Sequence, residues 1–124
     1  MKQFLIVFIG SGLGGLLRFC IGKWFSSWYH NYFPLGTFVI NILACLLLGL
    51  LLGFANQKNI ITPNFQLFFG VGFCGGFSTF STFSSETISL FQQEQYLTSF
   101  LYIFGSVFVS LAAVFGGLYI AGKL

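Results

Sequence analysis

The chain has few charged residues and no aspartate. Only 6% of its 124 residues are charged, with five basic and two acidic side chains. Soluble domains carry about 25% charged residues, so this composition excludes an ordinary soluble protein. The few basic residues form no cluster that could follow a phosphate backbone, which argues against nucleic acid as a partner.

Cysteine and histidine are too few and too scattered for a metal centre or a disulfide framework. Cys20, Cys45 and Cys74 lie in apolar stretches without a C-x-x-C spacing, and His30 is not beside any of them. We therefore interpret the cysteines as buried thiols. No nucleophile has a base and an orienting partner nearby in sequence, so we do not expect an enzyme.

Long apolar stretches fill most of the chain, which is 56% hydrophobic with a mean hydropathy of +0.92. A helix needs about 20 residues to cross a bilayer, and four stretches reach that length. The sequence predicts an all-α membrane protein, with one domain over residues 1–124. The predicted spans lie near residues 3–21, 35–54, 65–90 and 97–121.

The orientation of these spans is only weakly determined by charge. Short loops rich in lysine and arginine stay on the cytoplasmic side of a membrane. Here Lys2, Lys58 and Lys123 lie on one predicted side, and Arg18 and Lys23 lie toward the other. So small a bias allows insertion in both orientations, and four short helices alone enclose little space. We therefore expect an antiparallel, dual-topology homodimer.

A run of glycines, hydroxyl residues and phenylalanines interrupts the third predicted span from Gly75 to Phe83. Irregular backbone in hydrocarbon is tolerated only where it packs in protein or lines a wet cavity. The adjacent glycines and the hydroxyl residues after them predict a broken helix near Gly75 to Ser78. Carbonyl groups exposed there, doubled at a dimer axis, would form an oxygen cage for a monovalent cation.

Uncharged polar residues at membrane depth indicate a pathway for a solute. Each also has the simpler interpretation of a hydrogen bond between helices, worth about 0.6 kcal/mol. Donors on three spans that face a broken helix favour a polar track. The candidates are Asn41 in the second span, Ser78, Thr79, Ser81 and Thr82 in the third, and Ser106 and Ser110 in the fourth.

Three phenylalanines recur every three residues in the third span. Phe77, Phe80 and Phe83 would share a broad helix face. Because the chain has 19 phenylalanines, packing is the default role of these rings. The edge of an aromatic ring carries positive potential, so ring edges at a pore would also attract an anion.

Glycine spacing predicts where the helices meet. Small residues at i and i+4 let transmembrane helices approach closely. The pairs with this spacing are Gly10 and Gly14, Gly49 and Gly53, and Gly72 and Gly76.

Arg18 lies near the end of the first predicted span. A charge at the bilayer centre costs about 2.5 to 3.5 kcal/mol, and much less when a long side chain reaches the interface. Interfacial anchoring is therefore the first interpretation of Arg18. Attraction of anions toward a vestibule is the alternative.

These stretches resemble the Fluc/CrcB family of microbial fluoride channels, over nearly the whole chain. The matching segments are Gly10 to Arg18, Phe33-Pro34-Leu35-Gly36-Thr37 running to Asn41, and Gly75 to Phe83, of which the last is highly specific. The resemblance implies an antiparallel, dual-topology homodimer with two fluoride pathways in the bacterial inner membrane.

The resemblance also implies which residues line the pathway. Phe80 and Phe83 are similar to paired rings that meet fluoride with their edges, and Asn41 is similar to a pore asparagine. Weaker matches, which rest on spacing, extend the pathway to a polar track of Tyr102, Ser106 and Ser110.

A structural sodium ion at the dimer axis is a further implication of the resemblance. Gly75 and Ser78 match the positions whose main-chain carbonyls hold it, although the family commonly has threonine where this chain has Ser78. Glu86 matches an acidic position, for which we expect hydrogen bonding at a helix end and no role in the pore.

We therefore expect a passive, fluoride-selective channel that exports cytoplasmic fluoride and confers fluoride resistance. A small dual-topology multidrug exporter would share the length and the number of spans. Such an exporter needs a carboxylate within the first span, where this chain has none. A non-transporting scaffold subunit of a membrane complex is the other alternative, and it predicts no ion flux.

Overall fold

Four long helices dominate the computed structural model, which describes residues 1–58 and 60–124, and of residue 58 only the backbone. The side chain of Lys58, used in the charge argument, lies outside the described part. All regular structure in that part is helical. The helices long and apolar enough to cross a membrane are Lys2–Trp28, Leu35–Gln57, Pro63–Gln92 and Tyr96–Lys123. The predicted all-α class with four spans is confirmed.

The ends of these spans follow local sequence signals. The helix that contains the second span starts at Leu35 and extends one residue beyond Gln57, to Lys58. Pro63 starts the third span, and the Thr62 hydroxyl accepts a hydrogen bond of 3.3 Å from the Phe65 N–H. Proline at the first helical position is favourable because its missing N–H would be unpaired there anyway. Glu94, with φ of 59°, makes the tight turn into the fourth span.

The third span is irregular along its length. Its helix continues through Gly75 to Phe77, so the adjacent glycines are not themselves unwound. Ser78 and Thr79, which we call the extended pair, have ψ angles of 159° and 119°. The segments in order are an α-helix Pro63–Gln66, a π-helix Leu67–Cys74, an α-helix Gly75–Phe77, the extended pair and an α-helix Phe80–Gln92.

Glycines bring the spans together in two parallel pairs. The first span packs along residues 67–77, where a Cβ added to Gly14 would overlap the Phe73 carbonyl oxygen. The second span packs along the fourth, where a Cβ at Gly49 would overlap the Val114 carbonyl oxygen. An added Cβ would overlap a neighbouring residue at five of the six glycines predicted from their spacing, and at Gly72 it would lie 3.1 Å from the Gly10 Cα. All six therefore lie at close helix contacts, and this prediction is confirmed.

Burial is confined to a thin seam between the helices. The first span buries only Gly10 and Gly14, while Phe4 and Phe8 are each 76% exposed. The compact part of the core joins Ile40, Ala44 and Phe77. A single chain therefore presents long apolar faces to lipid or to another protein.

The prediction of three buried thiols is wrong for two of the cysteines. Cys74 is buried in the seam, Cys45 is partly buried, and Cys20 is exposed. Its apolar neighbour Phe19 is also exposed, at 61%, because a transmembrane helix can be apolar on every side.

Candidate functional site

Asn41 hydrogen-bonds the backbone of Thr79 in both directions. The Thr79 N–H donates to Asn41 Oδ1 at 2.8 Å, and Asn41 Nδ2 donates to the Thr79 carbonyl oxygen at 3.1 Å. Unpaired backbone groups are costly in an apolar interior. The amide of Asn41 therefore stabilises the extended pair. One of its two N–H donors stays available for another acceptor.

Two backbone N–H groups near the extended pair donate to side-chain oxygens instead of to helical carbonyl oxygens. In a continuous helix the Thr79 N–H would bond the Gly75 carbonyl, but it bonds Asn41 instead. The Thr82 N–H would bond the Ser78 carbonyl, but it donates to Thr79 Oγ1 at 3.2 Å. The Gly75 and Ser78 carbonyls, the two groups expected at a cation site, thus do not receive their usual helical hydrogen bonds.

A groove of about 260 Å³ opens beside the extended pair. Within it the Ser106 hydroxyl is buried, and its oxygen has no hydrogen-bond partner among the described residues. A buried hydroxyl without a partner can donate a hydrogen bond to a ligand in the groove. The lining residues are Asn41, Cys45, Ser78, Thr79, Phe80, Phe83, Ser106, Val107 and Ser110.

Two of the three predicted rings lie in this groove. The ring centroids of Phe80 and Phe83 are 5.6 Å apart, and Phe80 is 78% exposed. Phe77 is only 2% exposed and packs in the core, so the expected common face of the three rings is wrong. The extended pair turns the chain between Phe77 and Phe80, which separates the core ring from the groove rings.

A second, larger cavity of about 740 Å³ lies on another side of Thr79. Arg18 lines it and donates from Nε to the Gly76 carbonyl oxygen at 3.1 Å. This bond joins Arg18 to the helical segment before the extended pair. Thr82 also lines this larger cavity, while Ser81 is exposed and lines neither cavity.

Glu86 links three spans. Its carboxyl oxygens accept hydrogen bonds from Thr37 Oγ1 at 2.7 Å and from the Tyr102 hydroxyl at 2.9 Å. We expected hydrogen bonding at a helix end, and one partner, Thr37, does lie in the first turn of the second helix, while Tyr102 lies within the fourth span. Tyr102, which is 0% exposed, also has its ring centroid 5.0 Å from that of Phe83. The cluster therefore fixes one wall of the groove.

Tyr102→Phe should lower the midpoint of thermal unfolding in detergent. The ring contacts with Phe33 and Phe83 would remain, but Glu86 would lose a hydrogen bond, worth about 1 kcal/mol in net stability. Tyr119→Phe is the matched control, because Tyr119 is 68% exposed. Equal midpoints for the two variants would contradict the stabilising role of this hydrogen bond.

The structure thus gathers most of the expected pathway residues in one place. Asn41, Phe80, Phe83, Ser106 and Ser110 line the groove. Two features were missed in the sequence. Thr37 pairs with Glu86 across 49 positions, and Cys45 lies one helical turn after Asn41 in the groove lining. Helical spacing from Asn41 could have indicated the position of Cys45, but it could not have indicated the pairing of Thr37 with Glu86.

Known proteins resemble this chain over its full length. A family model described as CrcB-like protein, Camphor Resistance (CrcB), matches residues 5–118. A protein of Flavobacterium psychrophilum named Fluoride-specific ion channel FluC is 43% identical over 124 residues, 100% of each chain. A protein with the same name from Oceanobacillus iheyensis is 40% identical, covering 98% of this chain and 92% of its own. Another from Pyrococcus abyssi is 40% identical, covering 99% and 98%.

Proposed function

Since the chain belongs to the CrcB family, we infer that it is a fluoride-specific ion channel. It is a multi-pass membrane protein, and its family is one of ion channels, which is not an enzymatic class. In this chain the groove is the structural feature that supports channel function. It combines an asparagine amide, two phenylalanine rings and a buried serine hydroxyl without a partner.

The chemistry of the groove suits a small anion. The Ser106 hydroxyl and the remaining N–H of Asn41 would donate hydrogen bonds that replace part of the hydration shell of fluoride. The edges of the Phe80 and Phe83 rings carry positive potential and would contact the ion weakly. Weak, successive contacts of this kind hold an ion without trapping it, as conduction requires.

Flux through such a groove needs no coupled energy source. A membrane potential that is negative inside favours exit of an anion by about 2.3 kcal/mol per 100 mV. We place the channel in the bacterial inner membrane, where passive export would keep cytoplasmic fluoride low and give fluoride resistance.

A second copy of the chain would complete the pathway. Phe80 is 78% exposed beside the groove, so one wall is missing in a single chain. The weak charge bias of the loops would allow the second copy to insert in the opposite orientation. We therefore propose an antiparallel, dual-topology homodimer in which the two chains together enclose two pathways.

The carbonyl oxygens of Gly75 and Ser78 fit a structural sodium ion. Their usual helical donors, the N–H groups of Thr79 and Thr82, bond side-chain oxygens instead. Carbonyl oxygens are suitable ligands for a monovalent cation. Two carbonyls are too few for a dehydrated ion, and a dimer axis through this point would double their number. Gly75 and Ser78 would hold the sodium ion, which would supply positive charge between the chains.

Replacing Phe80 or Phe83 with isoleucine should lower fluoride release by about tenfold or more, because an aliphatic side chain has no positive ring edge. The measurement is fluoride efflux from liposomes with purified protein, read by a fluoride electrode with a potassium ionophore to clamp the potential. Phe104→Ile is a control, since Phe104 is 56% exposed on the fourth span and does not line the groove.

The same assay distinguishes the alternatives. Release of fluoride, but not of chloride, from wild-type vesicles supports the channel. No release from folded protein would favour a scaffold subunit. Undiminished flux in both phenylalanine variants would rule out the ring-edge mechanism while leaving the channel function in place.

A further inference from the structure

The Cys45 thiol lies in the groove proposed as the anion pathway. Cys45 is one helical turn after Asn41 on the second span, and both line the groove.

The parallel packing of the second and fourth spans shows which residue of the fourth span lies at the same height as Cys45. Gly105 lies next to Phe38, and Gly49 lies next to Val114. By this register Cys45 is level with Ser110, which also lines the groove.

The groove has a second feature that points to a ligand. Ser106 is 8% exposed, and its hydroxyl oxygen has no hydrogen-bond partner among the described residues. This hydroxyl lies in the same lining as Cys45. A polar group buried without a partner indicates that the groove receives a polar or charged species. The thiol of Cys45 is therefore beside a space that ions enter.

We propose that Cys45 binds a soft, thiophilic metal cation such as Hg²⁺, and that the bound metal blocks the channel. This inference rests on the proposed function of the groove. As the sulfur–metal bond forms, the thiol releases its proton to water, and no electron is transferred. Thiolate sulfur selects soft metals, whereas the neighbouring hydroxyl and amide oxygens favour hard cations.

A metal ion bound to Cys45 would block the groove both by its size and by its charge. A metal ion on Cys45 would occupy part of a groove of only about 260 Å³. Its positive charge, in surroundings of low dielectric constant, would also hold an arriving anion strongly and prevent its release. Either effect lowers flux through a pathway that depends on weak successive contacts.

The other two thiols lie outside the groove. Cys20 is exposed on the first span, and Cys74 is buried, with 6% exposure. Neither residue lines the groove. Cys20 is therefore the internal control, because a metal on Cys20 would stay outside the pathway.

The test measures fluoride efflux from proteoliposomes before and after addition of Hg²⁺. Each flux is expressed relative to that of the same variant before addition. We expect a fall of about tenfold or more in wild-type protein and in Cys20→Ser, with recovery in excess dithiothreitol. Cys45→Ser should keep most of its own starting flux. Block of Cys45→Ser to the same extent as wild type would overturn the proposal.

Mass spectrometry of mercury adducts on the same folded samples separates binding from block. An adduct on Cys45 that disappears in Cys45→Ser supports the metal site, whether or not the sample conducts. Absence of that adduct overturns the site. An adduct on Cys45 with undiminished flux overturns the block. A wild-type protein that forms the adduct but shows no flux before Hg²⁺ overturns the proposed channel function and leaves the metal site supported.

Discussion

Asn41→Asp should reduce fluoride flux by about a hundredfold or more. The carboxylate would keep the hydrogen bond from the Thr79 N–H, now 2.8 Å long, but would lose the donor to the Thr79 carbonyl oxygen at 3.1 Å. A carboxylate oxygen would then face the Thr79 carbonyl oxygen, and a buried acceptor without a hydrogen-bond donor costs about 1 to 3 kcal/mol in stability. The negative charge would also repel fluoride in the groove. The measurement is electrode-detected efflux from liposomes.

A matched control lies on the same helix. Asn56 is exposed near the end of the second span and does not line the groove, so Asn56→Asp should conduct like the wild type. Size-exclusion chromatography of both variants reports whether they remain folded. Wild-type flux in folded Asn41→Asp would show that neither the bond to Thr79 nor the charge of this residue governs permeation.

Gly14→Ala should destabilise the protein strongly. A Cβ at this position would overlap the Phe73 carbonyl oxygen and lie 2.8 Å from the Phe77 nitrogen, so the first span would have to move away from the third. Overpacking of this kind costs about 1 to 3 kcal/mol. Because Phe77 directly precedes the extended pair, we also expect reduced flux. The measurements are folded yield after extraction and the midpoint of thermal unfolding in detergent.

Gly12→Ala provides the comparison on the same helix. An added Cβ at Gly12 has nothing within 4 Å, and alanine is favoured over glycine in a helix by about 1 kcal/mol. This variant should be as stable as the wild type or slightly more stable. Equal loss of stability in the two variants would mean that helix propensity or lipid contact, rather than the approach to Phe73, determines the result.

Much of the fold was predictable because membrane insertion depends on properties that are local in sequence. Apolar length predicted the number of spans, since the thickness of the bilayer sets the length of a helix. The i, i+4 spacing of Gly10 and Gly14 predicted a contact face, since residues four apart lie on the same side of a helix. The partner of that face, residues 67–77, was not predictable from spacing alone.

The candidate site was predictable in its residues but not in their bonds. Asn41 was expected as a donor to a solute, and the structure shows its amide bonded to Thr79, 38 positions away. Phe77 and Phe80 were expected on one face, and two extended residues between them place one in the core and the other in the groove. Glu86 was expected at a helix end, and its partners belong to the second and fourth spans.

The number of membrane-spanning helices and the glycines at close helix contacts follow from residue order, because they depend on apolar length and helical period. The acceptor that each polar group bonds depends instead on how the helices pack. The Thr79 N–H could have bonded the Gly75 carbonyl in a continuous helix, and it bonds Asn41 because the second span packs beside it. Such choices depend on the relative position of whole helices, which residue order alone does not specify.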